Sequence, residues 1–126
     1  MESANETGTP TDLGALVGQW SDWSAASAAL GVSVSKVRQL IREHFLAAAV
    51  PAPGAGQQIP SELIMDGEIV KVVPGVLTVL HDGGYGDTEA LTWLFTPDET
   101  LPGRPIDALR ENRGSEVKRR AQAMAI

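Results

Sequence analysis

Apolar residues recur at spacings of three and four along most of the chain, and this period predicts helices rather than strands. A short apolar helix around Leu16 begins after Asp12, whose side chain is a suitable N-cap. A second helix covers residues 23–30 and ends at Gly31, because glycine readily adopts the left-handed conformation that closes a helix. Two helices are therefore predicted before residue 32.

A third helix is predicted over residues 34–45, with Ser33 or Ser35 as its N-cap. Its apolar positions recur every three or four residues and form one stripe. They are Val37, Leu40, Ile41 and Phe45.

Residues 46–60, LAAAVPAPGAGQQIP, are the part of the chain that favours strands. Two apolar stretches flank the turn-forming sequence PAPGAG, and this arrangement predicts a short β-hairpin. A brief helical turn is expected at residues 61–63, and residues 66–73 are expected to be extended or to serve as a linker.

The last third of the chain again shows helical spacing. Pro74 and Pro105 each stand where a helix begins, because proline suits the first turn. Between them, Asp87 or Thr88 caps a helix that Pro97 ends, and Ser115 caps a final amphipathic helix. We predict a mainly α fold: a winged helix-turn-helix with one short β-hairpin, plus a helical C-terminal domain. The expected division is a disordered tail at 1–11, a winged helix-turn-helix at 12–65 and a helical domain at 66–126 packed on it.

Composition narrows the class of protein. A chain of 126 residues suits one compact domain or two very small ones, and no apolar run is long enough to cross a bilayer. The acidic start of the chain does not look like a secretory signal, and the absence of cysteine excludes disulfides and thiol nucleophiles. A reducing, cytoplasmic location is therefore expected.

The net charge of −6 argues at first against nucleic acid as a partner, but the charge is unevenly distributed. Residues 31–50 carry three basic residues and one acidic residue, and residues 104–126 carry six basic and three acidic residues. Local binding of phosphate is therefore compatible with an acidic chain.

The spacing of small and apolar residues between 23 and 42 predicts a helix-turn-helix. With Trp23 as position one, Ser27 is the small residue at the helix crossing and Gly31 lies in the turn. Val32, Val37 and Leu40 occupy the remaining anchoring positions. A plain helical hairpin that contacts no DNA is the alternative.

The outer face of the third helix carries the candidate DNA contacts. Arginine and glutamine can bond base edges in pairs, whereas serine and lysine suit phosphates. The candidate residues are Ser33, Ser35, Lys36, Arg38, Gln39 and Arg42. The alternative is an ordinary solvated helix face.

With its hairpin, this region resembles the winged helix-turn-helix of the excisionase and MerR-like groups, although the wing sequence PAPGAGQQ carries no charge. From about residue 14 to 126 the chain resembles small actinobacterial winged helix-turn-helix regulators that are substrates of serine/threonine kinases. The stretches that carry this resemblance are ALGVSVSKVRQLIREHFLAAAVP, IVKVVPGVLTVLHDGGY and EALTWLFTPDETLPGRPIDALRENRGSEVKRRAQA.

This resemblance implies double-stranded DNA and a serine/threonine protein kinase as partners, and transcriptional regulation as the function. Three threonines lie in the acidic tail, Thr7, Thr9 and Thr11, and we select Thr9 as the phosphorylation site. Phosphate there would add negative charge and weaken DNA binding.

The C-terminal part is also similar to the C-terminal domain of Xre-type antitoxins. The residues that carry this similarity are Trp93, Leu94, Pro97, Leu101, Gly103, Arg104, Pro105 and Leu109. It implies a protein partner for this domain, so an antitoxin-like protein-interaction module is the alternative function.

No catalytic or cofactor site is predicted. His81 and Asp82 lack a third metal ligand at a suitable spacing, and the glycines at 83, 84 and 86 are not followed by the residues of a phosphate loop. Trp20 and Trp23 are assigned to the core. The basic run at 118–120 is read as a solvated helix end, with DNA backbone or a partner as the alternative.

Overall fold

A computed structural model describes residues 12–126, in which seven α-helices, one 3-10 turn and four two-residue strands follow one another. The helices are α1 (Leu13–Val17), α2 (Trp23–Leu30), α3 (Val34–Arg42), α4 (Val73–Asp82), α5 (Asp87–Phe95), α6 (Pro105–Arg110) and α7 (Gly114–Met124). The strands are β1 (Trp20–Ser21), β2 (Ile59–Pro60), β3 (Ile64–Met65) and β4 (Glu68–Ile69), with the 3-10 turn at Ser61–Leu63. The predicted mainly helical fold is confirmed, and the predicted tail at 1–11 lies outside the described residues.

Local capping explains where the first helices begin and end. The Asp22 carboxylate accepts a hydrogen bond of 2.7 Å from the Ala25 amide and so caps α2. Gly31 ends that helix in the left-handed conformation, with φ 69° and ψ 31°. Ser33 caps α3 by accepting a 3.0 Å bond from the Lys36 amide. The predicted turn between the two helices is therefore present.

The third helix is shorter than predicted, because it ends at Arg42 and not at residue 45. His44 lies in the left-handed region with φ 64°, and the amides of Phe45 and His44 bond back to the carbonyls of Leu40 and Ile41. These bonds form a Schellman motif, which satisfies the free carbonyls at a helix end. Phe45 consequently leaves the apolar stripe and is 41% exposed.

The strands differ most from the sequence prediction. The hairpin expected at 46–60 is reduced to a single bridge between Ala49 and Gln58. Strand β2 pairs instead with β1, in antiparallel register Trp20 with Pro60 and Ser21 with Ile59. Pro51 and Pro53 lack the amide hydrogens that would extend the ladder beyond Ala49.

A second strand pair joins β3 to β4, and β4 lies in the segment 66–73 that was expected to be extended or to serve as a linker. Asp66 and Gly67 join the two strands with φ values of 55° and 80°. Positive φ at both central residues is the geometry of a tight hairpin turn, which Asp-Gly favours. The Asp-Gly dipeptide could therefore have predicted this hairpin, but strands of two residues are too short to show an alternating pattern.

Side chains from both halves of the chain form one apolar cluster. Val37 of α3 and Ile59 of β2 are fully buried in the same cluster as Leu80, Phe95 and Ile106 of the C-terminal helices. No helix within residues 12–126 has the length and apolar composition needed to cross a bilayer. The shared core holds the helix-turn-helix in a defined position on the C-terminal helices.

Candidate nucleic-acid interface

Helix α3 has one buried side and one exposed side, as the helix-turn-helix hypothesis requires. Val37 is fully buried, whereas Lys36, Arg38 and Arg42 are exposed. Ser33 and Ser35 at its start are exposed as well. These five candidate residues therefore lie on a surface that a DNA groove could reach.

Ser27, the small residue at the fifth position of the motif, is half-buried in α2. Its hydroxyl donates to the carbonyl of Val32 across the turn. Ala26, one residue earlier, is the fully buried residue of α2. A serine at this place thus adds a hydrogen bond that an alanine could not make.

The basic groups on α3 are not neutralised by neighbouring acids. Within residues 12–126, Lys36, Arg38 and Arg42 take part in none of the ion pairs. Their positive charge is consequently available to phosphates, whose neutralisation supplies most of the non-specific affinity for DNA.

Arg38 is oriented by an aromatic ring. Its guanidinium carbon lies 5.4 Å from the ring centroid of Trp23, a distance typical of a cation–π contact. Trp23 is half-buried and packs against the core, as predicted, and its free face supports the arginine. Sequence spacing alone did not indicate this contact.

Gln39 is less available than its position on the helix suggested. It is half-buried, and its Nε2 donates a 3.1 Å hydrogen bond to Oε2 of Glu43. A base contact by Gln39 would have to replace this bond. The side chain of Ser33 already accepts a bond as the N-cap, so its hydroxyl hydrogen is what remains for a phosphate.

The uncharged wing approaches the same surface. Gln57, which follows the turn sequence, lines a shallow cleft together with Trp23, Arg38, Ile41 and Arg42. The wing therefore offers an amide and no positive charge beside α3. Nothing in the sequence around Gln57 signalled this position.

In the basic run at 118–120, the two arginines form ion pairs. Arg119 and Arg120 both bond to the carboxylate of Glu116, and these bonds, that of Arg120 foremost, lower the pKa of this carboxyl. Arg120 also bonds to Asp98 and Thr100. This run thus carries less available charge than α3.

The proposed phosphorylation site and its neighbours, Thr7, Thr9 and Thr11, lie outside the described residues.

The chain is similar to a family model, to a mycobacterial protein and to a solved structure. A family model described as the Rv2175c C-terminal domain of unknown function matches residues 70–125. The chain is 49% identical to the DNA-binding protein Rv2175c of Mycobacterium tuberculosis (strain ATCC 25618 / H37Rv) over 109 residues, which cover 76% of this chain and 73% of that protein. The fold is similar to the NMR structure of Rv2175c, with a TM-score of 0.78 and 39% identity, covering 100% of this chain and 90% of the other. The structural similarity extends over both the helix-turn-helix and the C-terminal helices.

Proposed function

This chain belongs to the family of the mycobacterial DNA-binding protein Rv2175c, and we propose that it binds double-stranded DNA with helix α3 in the major groove. The observation that carries the proposal is the exposed basic side of α3, whose Lys36, Arg38 and Arg42 form no ion pair within residues 12–126. In helix-turn-helix proteins the second helix contacts base edges through its N-terminal part. The relative's name supports the same activity.

Each candidate side chain has a distinct expected role. Arg38 and Arg42 are assigned to base edges, where a bidentate contact to guanine contributes about 1–3 kcal/mol of discrimination. Lys36, Ser33 and Ser35 are assigned to phosphates, which set the position of the helix but carry no sequence information. Gln39 can contact a base only if its hydrogen bond to Glu43 breaks.

The test is DNA binding by arginine variants with a matched control. Arg38→Ala and Arg42→Ala should each weaken binding to a selected genomic fragment, measured by fluorescence anisotropy at several salt concentrations. Arg119→Ala removes the same charge from an exposed position on α7, where the arginine pairs with Glu116. This control should bind as the wild type does.

Equal loss in all three variants would show a general charge effect and would contradict the assignment to α3. Unchanged binding in both α3 variants, with helicity intact by circular dichroism, would contradict it as well. Absence of DNA binding together with a stoichiometric protein partner for the C-terminal domain would favour the antitoxin-like interaction module.

The proposal includes transcriptional regulation, controlled by phosphorylation of Thr9. It is supported by the sequence resemblance to kinase substrates and by the threonines of the acidic tail. A phosphate adds about 1.5–2 negative charges near neutral pH, which repel DNA and compete for the basic groups of α3. The modified protein should therefore bind DNA more weakly, most clearly at low salt.

This part is tested by phosphorylation in vitro with a serine/threonine kinase, followed by mass spectrometric mapping. Both forms are then titrated with one DNA, and Thr9→Ala serves as the control that the kinase should no longer modify in the tail. A phosphate found only within residues 12–126 would remove the site assignment. Equal or tighter binding by the tail-phosphorylated form would remove the mechanism.

A further inference from the structure

The two histidines of the chain, 37 positions apart in sequence, meet in the structure. The imidazole rings of His44 and His81 are stacked, with centroids 3.8 Å apart and planes inclined by 20°. The chain has no cysteine, so these two rings are its complete supply of nitrogen and sulfur side chains that zinc-class metals prefer. Both lie at one place between α3 and the C-terminal helices.

A carboxylate completes the cluster. Asp87, the first residue of α5, accepts a 2.7 Å contact from Nε2 of His81 at its Oδ1 and a 3.2 Å hydrogen bond from the Ala48 amide at its Oδ2. His44, His81 and Asp87 each offer one ligand atom, and these three atoms lie within 4.8 Å of one another. In the sequence, His81 and Asp82 lack a third metal ligand at a suitable spacing, whereas the structure brings His44 and Asp87 to His81.

Packing alone accounts for only part of this arrangement. The bonds from His81 and Ala48 to Asp87 satisfy the carboxylate, but Nδ1 of His44 is buried and has no hydrogen-bond partner. Buried polar atoms almost always have a partner, since an unpaired one loses its hydration without compensation. The Schellman motif at the end of α3 accounts for the left-handed backbone of His44, so the unpartnered Nδ1 atom is the feature that packing does not explain.

We propose that His44, His81 and Asp87 bind a divalent transition metal ion of the zinc class, with water as the remaining ligand. Two imidazoles and a carboxylate are a suitable donor set for Zn²⁺, whose bonds to nitrogen and oxygen are about 2.0–2.2 Å long. Coordination draws the ligand atoms closer and turns the rings out of their stack, so that a nitrogen of each points at the metal. The torsion that turns an imidazole is broad and permits this movement.

The three ligands of this site come from different elements of the fold. His44 directly follows the C-cap of α3, His81 lies in the last turn of α4, and Asp87 begins α5. A bound ion would therefore connect the proposed recognition helix directly to the C-terminal helices. The metal site itself does not depend on the proposed DNA binding, so each can fail without the other.

The experiment uses the full chain without a histidine tag, freed of metal by a chelator. Zn²⁺ should bind with one ion per chain in calorimetry and raise the melting temperature, whereas Mg²⁺ should do neither. Co²⁺ should give the visible absorption of a tetrahedral site. The proposal would be overturned if Zn²⁺ did not bind. It would also be overturned if stoichiometric Zn²⁺ left the melting temperature unchanged, or if Co²⁺ gave no tetrahedral absorption.

Variants locate the site. Asp87→Asn should lower Zn²⁺ affinity by more than about tenfold, because even partners outside the ligand shell commonly contribute 10–100-fold. Asp82→Asn changes a neighbouring exposed carboxylate that lies outside the cluster, and it should bind Zn²⁺ as the wild type does. Equal affinity in both variants would overturn the assignment.

His44→Gly is a variant that removes a ligand and should still fold. Glycine suits the left-handed φ of 64° at this position, so the helix end should persist while the imidazole is lost. This variant should keep the wild-type circular dichroism and lose the Co²⁺ absorption. Retention of that absorption would exclude His44 from the site.

Discussion

At the scale of single residues, Gly31 shows how one backbone conformation permits the helix-turn-helix. Its φ of 69° lies in the region that glycine occupies without strain, and a Cβ added there would meet no atom within 4 Å. The requirement for glycine is therefore conformational and not steric. A substitution at Gly31 therefore changes the stability through backbone strain and not through packing.

We expect Gly31→Ala to lower the free energy of unfolding by about 1–2 kcal/mol, the usual cost of placing a side chain in the left-handed region. Urea denaturation of both proteins measures this difference. Gly56→Ala is a matched control, because Gly56 also has open space around it and does not have a positive φ. A similar loss in both variants would contradict the conformational explanation.

Trp23 contacts Arg38 and is expected to hold it in place for binding DNA, without itself touching DNA. Its ring lies under the guanidinium of Arg38, and such contacts contribute about 0.5–1 kcal/mol at exposed sites. Trp23→Leu should therefore weaken DNA binding by roughly two- to fivefold in the wild-type background and have no effect in the Arg38→Ala background. Anisotropy titrations of the four proteins form the cycle, and additive losses would show that the two side chains act independently.

At the scale of elements, α3 is held by its buried side and leaves its other side to solvent. Val37 is fully buried between the helices, whereas Val34 on the same helix is 36% exposed. The two valines thus offer the same chemical change in two environments. Their comparison tests the register of the helix.

Val37→Ala should lower the free energy of unfolding by up to a few kcal/mol, because the lost methyl groups leave a cavity in the core. Val34→Ala should change it by much less. Thermal unfolding followed by circular dichroism compares them, and equal melting temperatures for both variants would refute the register assigned to α3.

At the scale of the whole molecule, Arg104 connects the region after the wing to the C-terminal helices. Its guanidinium bonds to Glu62 in the 3-10 turn and to Asp107 in α6, and it lies 5.4 Å from the Phe95 ring. Arg110 adds a bond to the backbone carbonyl of Glu62. These contacts complement the shared apolar core across the two halves.

The Arg104 guanidinium lowers the pKa of the Asp107 carboxyl below its ordinary value of 3.8. A carboxyl with a lowered pKa in the folded state stabilises the fold above its unfolded pKa, and this contribution is lost as pH falls through the folded pKa. The wild type should therefore exceed Asp107→Asn in unfolding free energy at neutral pH, and the difference should shrink below about pH 4. Urea denaturation at several pH values tests this, and a constant difference would contradict it.

Much of the helical part of this protein could be read from local sequence. Caps such as Ser33, helix ends such as Gly31 and the buried position of Val37 depend on residues three or four apart, and the structure agrees with all three. The basic outer side of α3 follows from the same period. The early end of α3 did not, because glycine, the usual residue at a left-handed helix end, is absent at position 44, where histidine takes that conformation.

Pairings between distant segments were decided by the tertiary structure alone. Strand β2 pairs with Trp20–Ser21 about forty positions earlier, and His44 meets His81 and Asp87 only when the two halves of the chain fold together. Within residues 12–126 the basic groups of α3 meet no acidic partner, whereas Arg120 of α7 reaches Asp98 in the loop after α5. The sequence by itself determines helices and their amphipathic sides, because those depend on nearest neighbours along the chain. Which sides meet depends on burying apolar area in one shared core, a property of the whole fold.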